Sequence, residues 1–287
     1  MKKTFISLAV ATALSYCGVA SAAPTYVPFT IDTTTIPDAL GALNPTPIPN
    51  LTVVATKISG SYDEQVAVSS TGLTKAAAVA NFGLFTTGSN GALPVGLTGL
   101  GTFYGIYALF TSTAQVIPGN SFAGLTGDFK LFMDPGNNTT FSVTPGVLTA
   151  GVITTAPGVS TPTNTSDDYL LASSSTFRAF PASFGNLNPP PSFEFVFDNL
   201  LLTVADQLGL QPLVQSGKTF FTAPDPFHMT VRINGDIPTL TTTPNTLTHT
   251  GGTVSASFAI PEPGSLTLLG LGLAGLALAQ RRRKLLK

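Results

Sequence analysis

Leu51-Thr-Val-Val-Ala-Thr-Lys-Ile58 and, after Gly60-Ser61, Tyr62-Asp-Glu-Gln-Val-Ala-Val68 are two β-type runs set back to back. In the second run Tyr62, Glu64, Val66 and Val68 recur every two residues, which puts them on one face of a strand. A Gly-Ser junction between two such runs predicts a hairpin. The same reading extends along the chain. Lys75 to Thr86 suits a strand or a short helix, and the strands that follow favour a strand. Phe103–Phe110 is β-rich, with Gly105 permitting close packing. Asp128–Met133 alternates, Phe129, Leu131 and Met133 one way and Lys130 the other. Asp134-Pro-Gly-Asn-Asn138 is a turn, after which a strand resumes over Thr139–Val143.

Asp168–Phe177, Phe193–Phe197, Phe227–Ile233 and Thr253–Ala259 supply further strands. Leu200–Gly209 is the best helix candidate, with a long strand into Val204 as its alternative. Pro24–Asn50 reads as an extended entry, and Pro157–Thr165 and Leu187–Pro191 as loops. Thr239–Gly252, rich in Thr with Pro and Gly, reads as a stalk. Many short strands separated by turns predict an all-β fold in one domain. The expected architecture is an antiparallel β-sandwich, with a jelly roll as one form it can take.

Charge separates the body of the chain from its ends. The 287 residues carry 13 Lys and Arg against 14 Asp and Glu. Between Ala23 and Ile260 only six are basic and thirteen acidic, a formal charge of −7. Nucleic acid is excluded as a partner, because phosphate neutralisation needs clustered Lys and Arg. Few charges, many hydroxyls and no Trp fit an extracellular β protein.

The basic residues cluster at the termini. Met1-Lys2-Lys3, the apolar Thr4–Val19 and the small residues Ala20-Ser21-Ala22 form a secretory signal, with cleavage before Ala23 by signal peptidase. Tyr16 before Cys17 rules out a lipobox. Cys17, the one cysteine, leaves with the signal, so no disulfide or thiol chemistry is expected. At the other end Pro261-Glu262-Pro263 precedes a Gly/Leu/Ala-rich stretch and the cluster Arg281-Arg282-Arg283-Lys284. A helix over Gly264–Gln280 would be about 25 Å long, the lower limit for a bilayer core. The basic cluster then acts as a cytoplasmic stop-transfer signal, making this a C-terminal transmembrane helix in the inner membrane.

These elements in this order resemble the PEP-CTERM sorting signal of Gram-negative bacteria, with Pro261, Glu262 and Pro263 as motif and Arg281 to Arg283 as basic tail. The resemblance implies processing by an exosortase, an integral-membrane cysteine transpeptidase, in a bacterium that makes exopolysaccharide. The expected organisation is a signal peptide over 1–22, a β body over 23–238, a Thr-rich linker over 239–260 and the sorting signal over 261–287. The body resembles the flocculation-associated PEP-CTERM proteins in Ala55–Glu64, Gly105–Phe110, Leu131–Pro135 and Asp225–His228. That likeness implies a cell-surface or extracellular-matrix protein of flocs and biofilms, with exopolysaccharide as partner and a transient inner-membrane anchor before release.

Catalytic chemistry has little to stand on. No G-x-S-x-G elbow is present, and His228 and His249 are the only histidines. Gly217-Lys218-Thr219 lacks the first P-loop glycine, since Pro212 stands there. Asp134, Asn137 and Asn138 offer oxygens to calcium, though a plain β-turn explains them. Glu64 and Glu194 are the body's only glutamates, and a secreted glycoside hydrolase would have to use such a pair. No catalytic, metal or cofactor residue is expected, and the protein is not expected to be an enzyme. A carbohydrate-binding module is the rival reading, with Tyr62, Tyr104, Tyr107 and Tyr169 as aromatic platforms. Self-association through free sheet edges is the other.

Overall fold

Alternating burial explains why the long runs become strands. In β1 (Lys57–Val68) Ile58, Tyr62, Glu64, Val66 and Val68 are buried, while Ser61 between them is exposed. β2 (Leu73–Thr86) and β3 (Gly105–Ile117) are buried on both faces over Ala76–Val79 and Gly105–Ala108, β3 alternates beyond that, and in β4 (Ser121–Asp134) Phe129, Leu131 and Met133 are buried and Lys130 is exposed. Four more strands follow: β5 (Tyr169–Ser174), β6 (Ser192–Leu202), β7 (Met229–Asp236) and β8 (Thr246–Ile260). This computed structural model describes residues 25–33, 52–88, 91–117, 121–160, 162–165, 168–177, 184–186, 192–202, 220–223, 229–236 and 243–260.

Each strand pairs antiparallel with the next, from β1 through β8. β8 then pairs with β1, in register from Thr246 opposite Val68 to Ser257 opposite Lys57. The ring is closed, and the architecture is an eight-stranded up-and-down barrel. The fold is all-β and antiparallel as expected, but it is neither a sandwich nor a jelly roll. Two separate sheets would leave edges, and a jelly roll needs strands that cross over their sequence neighbours. The residues that make the difference are Thr246–Gly252. They were expected to be stalk within a linker over 239–260, and they form half of the closing strand.

The expected hairpin at Gly60-Ser61 does not form either. β1 runs straight through both residues, and the chain breaks earlier, at Thr56. Thr56 donates from its N–H and its Oγ1 to the carbonyl of Thr86, at 2.7 and 3.0 Å. The preceding strand, Thr52–Ala55, joins Phe29–Asp32 and Phe221–Ala223 in a separate three-stranded sheet. Gly60 is needed for proximity, not for turning. A β-carbon there would lie 1.9 Å from the carbonyl oxygen of Asn81, next to the register shift of β2 between Phe82 and Leu84.

Among the remaining expectations, Lys75–Thr86 is strand throughout. Asp134–Asn138 is a turn, closed by the Asn137 N–H on the Asp134 carbonyl at 3.2 Å. After it only Val143–Thr144 is a strand, with an isolated bridge between Thr140 and Thr163. Leu200–Leu202 are the last residues of β6, not the start of a helix, while 203–209 lie outside the described residues. The signal segment 1–22 and the stretch 261–287 also lie outside them. No described helix is long and apolar enough to cross a membrane. That statement does not bear on strands, but the barrel's faces do. Asp128, Lys130, Thr111 and Thr126 are exposed outside, whereas Phe110, Phe129, Leu131 and Ile106 fill the inside. A membrane-spanning barrel needs the reverse.

The three-stranded sheet caps one barrel end with aromatic rings. Phe29 meets Phe258 at 4.9 Å and Phe221 at 5.9 Å between centroids, both edge-on, and Phe85 at 6.3 Å. Outside the barrel, a ribbon over residues 140–163 folds back along the wall. Its Gly158–Val159 lies against β2, whose outward Ala77 and Val79 are buried. Hydroxyl pairs staple the ribbon's two limbs: Thr140 with Thr163 at 2.6 Å and Ser142 with Ser160 at 3.1 Å.

Gly60→Ala should destabilise the barrel by about 3 kcal/mol or more, because the added methyl meets main chain that cannot rotate away. Urea unfolding followed by circular dichroism reads the loss.

Candidate functional site

The residues expected to direct processing are Ala20, Ala22 and Ala23 at the N-terminal cut, Pro261, Glu262 and Pro263 in the motif, and Arg281, Arg282, Arg283 and Lys284 behind it. All lie outside the described residues. The structure does describe the chain up to Ile260, the residue before the motif, and there is no linker at that point. β8 is still a strand at Ala259, which pairs with Thr230 of β7. On the other side the Val27 N–H donates to the Phe258 carbonyl at 3.2 Å. Phe258 is fully buried between Phe29 and Phe221. The final strand is therefore held by backbone on both sides and by its last aromatic ring.

Inside the barrel, Glu64 sits at the seam where β1 meets β8. It faces Ala78 on one side and Thr250 on the other. Burial alone pushes its carboxyl up to about 8, so it stays protonated at neutral pH. The Thr250 Oγ1 is buried with no hydrogen-bond partner. Beside them Ala78, Ala80, Ala108, Phe110, Phe129 and Tyr62 help line a cavity of about 20 Å³, room for about one water. A glycosidase needs two carboxylates flanking a sugar, and Glu64 has no such space. Glu194 lies on β6 with its backbone opposite Asn234, and its side chain lies outside what is described.

The aromatic platforms proposed from sequence are mostly interior. Tyr62, Tyr104 and Tyr107 are buried, and only Tyr169 is half-buried. Tyr107 donates to Asp168 at 2.6 Å and stacks on Phe132 at 5.0 Å, which fixes it to the wall. Asp134 uses one oxygen to accept the Thr139 N–H at 2.7 Å, and Asn137 donates to the Gly101 carbonyl at 3.2 Å. That is the bonding of a turn, and no cluster of three His, Cys, Asp or Glu occurs among the described residues. His228 and Gly217–Thr219 lie outside them. His249 is not in a stalk. It stands on the outer face of β8, paired with Asp63 of β1, both half-exposed or more. No local signal announced that pair, since 186 positions separate its members.

Residues 259–283 match the family model described as the PEP-CTERM protein-sorting motif. No curated protein and no solved structure matches the chain. The motif marks an exported protein that passes through the membrane and is processed by an exosortase. The matched segment begins at Ala259, inside β8.

The buried carboxyl makes stability depend on pH. Folded Glu64 holds its proton to about pH 8, while the unfolded chain releases it near the ordinary 4.5. Between these values the folded state binds more protons, so its stability is full below 4.5 and falls as pH rises toward 8. The melting temperature should drop by about 5 °C or more from pH 5 to pH 8. Glu64→Gln should flatten that profile in a calorimetric series over the same range.

Proposed function

We propose that the mature protein is a non-catalytic component of the cell surface or extracellular matrix, acting in exopolysaccharide-associated adhesion, as in floc or biofilm formation. The observation that carries this reading is a barrel with a sealed apolar interior and a hydroxyl-rich exterior, joined without a linker to a sorting motif. Among the described residues the cavity beside Glu64 is too small for a substrate, which favours the outside of the barrel as its useful surface. There, Thr and Ser pairs along the 140–163 ribbon offer donors and acceptors to a hydrated polysaccharide. With three of its four candidate tyrosines buried, contact through many weak hydroxyl bonds is favoured over one aromatic sugar site. Closure of the main sheet also removes the edges through which copies would pair, which favours polysaccharide over self-association as the means of adhesion.

Two measurements test this. Pro261-Glu262-Pro263 replaced by three alanines should leave the full-length chain in the inner-membrane fraction, whereas wild type should appear in the matrix at a mass beginning near Ala23. Cells carrying the variant should settle as dispersed cells do. Normal settling with no processed protein in the matrix would refute the adhesive role.

A further inference from the structure

The overlap of the sorting segment with the barrel has a mechanical consequence. An enzyme that cuts a peptide at a motif takes the chain extended, with residues on both sides of the broken bond in its groove. Here Phe258 and Ala259, just upstream of Ile260 and the motif, are not free. Ala259 is paired with Thr230, and one residue earlier the Phe258 carbonyl accepts the Val27 N–H. Phe258 is anchored by the rings of Phe29 and Phe221. We propose that the barrel restrains its own sorting cut: the end of β8, from Ala259 on, must peel away from β7 before the enzyme can engage the motif, and Phe258 is the point where peeling stops.

This rests on reading Pro261–Pro263 as the cut motif. The cut passes the acyl group of the broken peptide bond to the enzyme's thiol as a thioester, with the thiol proton going to the leaving amine. Water or an acceptor amine then takes the acyl group. None of that chemistry uses a side chain of the barrel. The barrel contributes an unfavourable opening step before it, so the rate follows the fraction of chains whose strand end is frayed. The clamp also joins the two ends of the mature chain. Val27 lies four residues beyond the expected signal cleavage before Ala23, so the new N-terminus holds the segment leading to the second cut.

The test is a pulse-chase of the full-length precursor in cells that carry the sorting enzyme. A six-residue Gly/Ser spacer inserted between Ile260 and Pro261 leaves the motif and everything after it unchanged, and leaves the barrel intact. It should shorten the half-time of conversion about five-fold or more, since the pairing of Ala259 with Thr230 no longer has to open. Val27→Pro, which deletes one clamp donor, should shorten it as well, with retained protease resistance of the barrel as the check on folding. A spacer variant cut at the wild-type rate or slower overturns the restraint. Wild type that is never cut overturns the reading of the motif instead, so the two failures are distinct.

Discussion

The pairing of Thr246–Ser257 with Lys57–Val68 is the contact on which the other structural features depend. Seven antiparallel neighbours in chain order make only a curled meander with two long free edges. The eighth pairing converts it into a ring, satisfies the backbone groups of both outer strands and seals the aromatic interior from water. Register is set along the same seam. A slip by one residue would turn Asp63 inward and Glu64 outward, and would reverse Val66 and Val68 as well. Gly60 belongs to this constraint, because β1 has to approach the Asn81 backbone closely while also accepting β8.

The closing strand is also where the folded body ends and the sorting segment begins. Phe258 illustrates the sharing. Its ring completes the cap formed with Phe29 and Phe221, its carbonyl accepts from Val27, and Ala259 beside it already lies in the matched motif. The folded body and the sorting segment therefore meet at Phe258 and Ala259. A conventional flexible linker would have separated the two, and the Thr-rich composition before the motif imitates one.

Glu64 shows what the barrel tolerates at its seam. A carboxyl that cannot reach water keeps its proton, and as a neutral acid it costs far less to bury than an anion. The small Ala78, Ala80 and Ala108 leave the space in which it lies. On the outer face of the same strand pair, Asp63 meets His249 in contact with solvent. Adjacent residues of one strand thus sit one in the sealed interior and one in solvent, set only by which way the pleat points.

Alternation in the chain was enough to determine β structure over Asp128–Met133 and the buried face of Tyr62–Val68, because each depends on a period of two within a few residues; Lys75–Thr86 was read as strand only from the strands that follow it, and Asp134–Asn138 as a turn from its Pro, Gly and Asn. The sorting motif was legible for the same reason, as a local order of prolines, apolar residues and arginines. Ring closure was not. It depends on strands about 190 positions apart, and the Thr, Gly and His of 246–252 read as linker until β1 supplies a partner for their backbone. The same distance hid His249 beside Asp63 and made Gly60 look like a turn. Leu200–Leu202 went to strand because β7 and β5 lay on either side, overriding a weak helical preference. Local pattern determined most of the strands; only the tertiary structure decided that 246–252 and 200–202 join them and how the ring closes, since backbone hydrogen bonds between distant strands leave no trace in the order of residues.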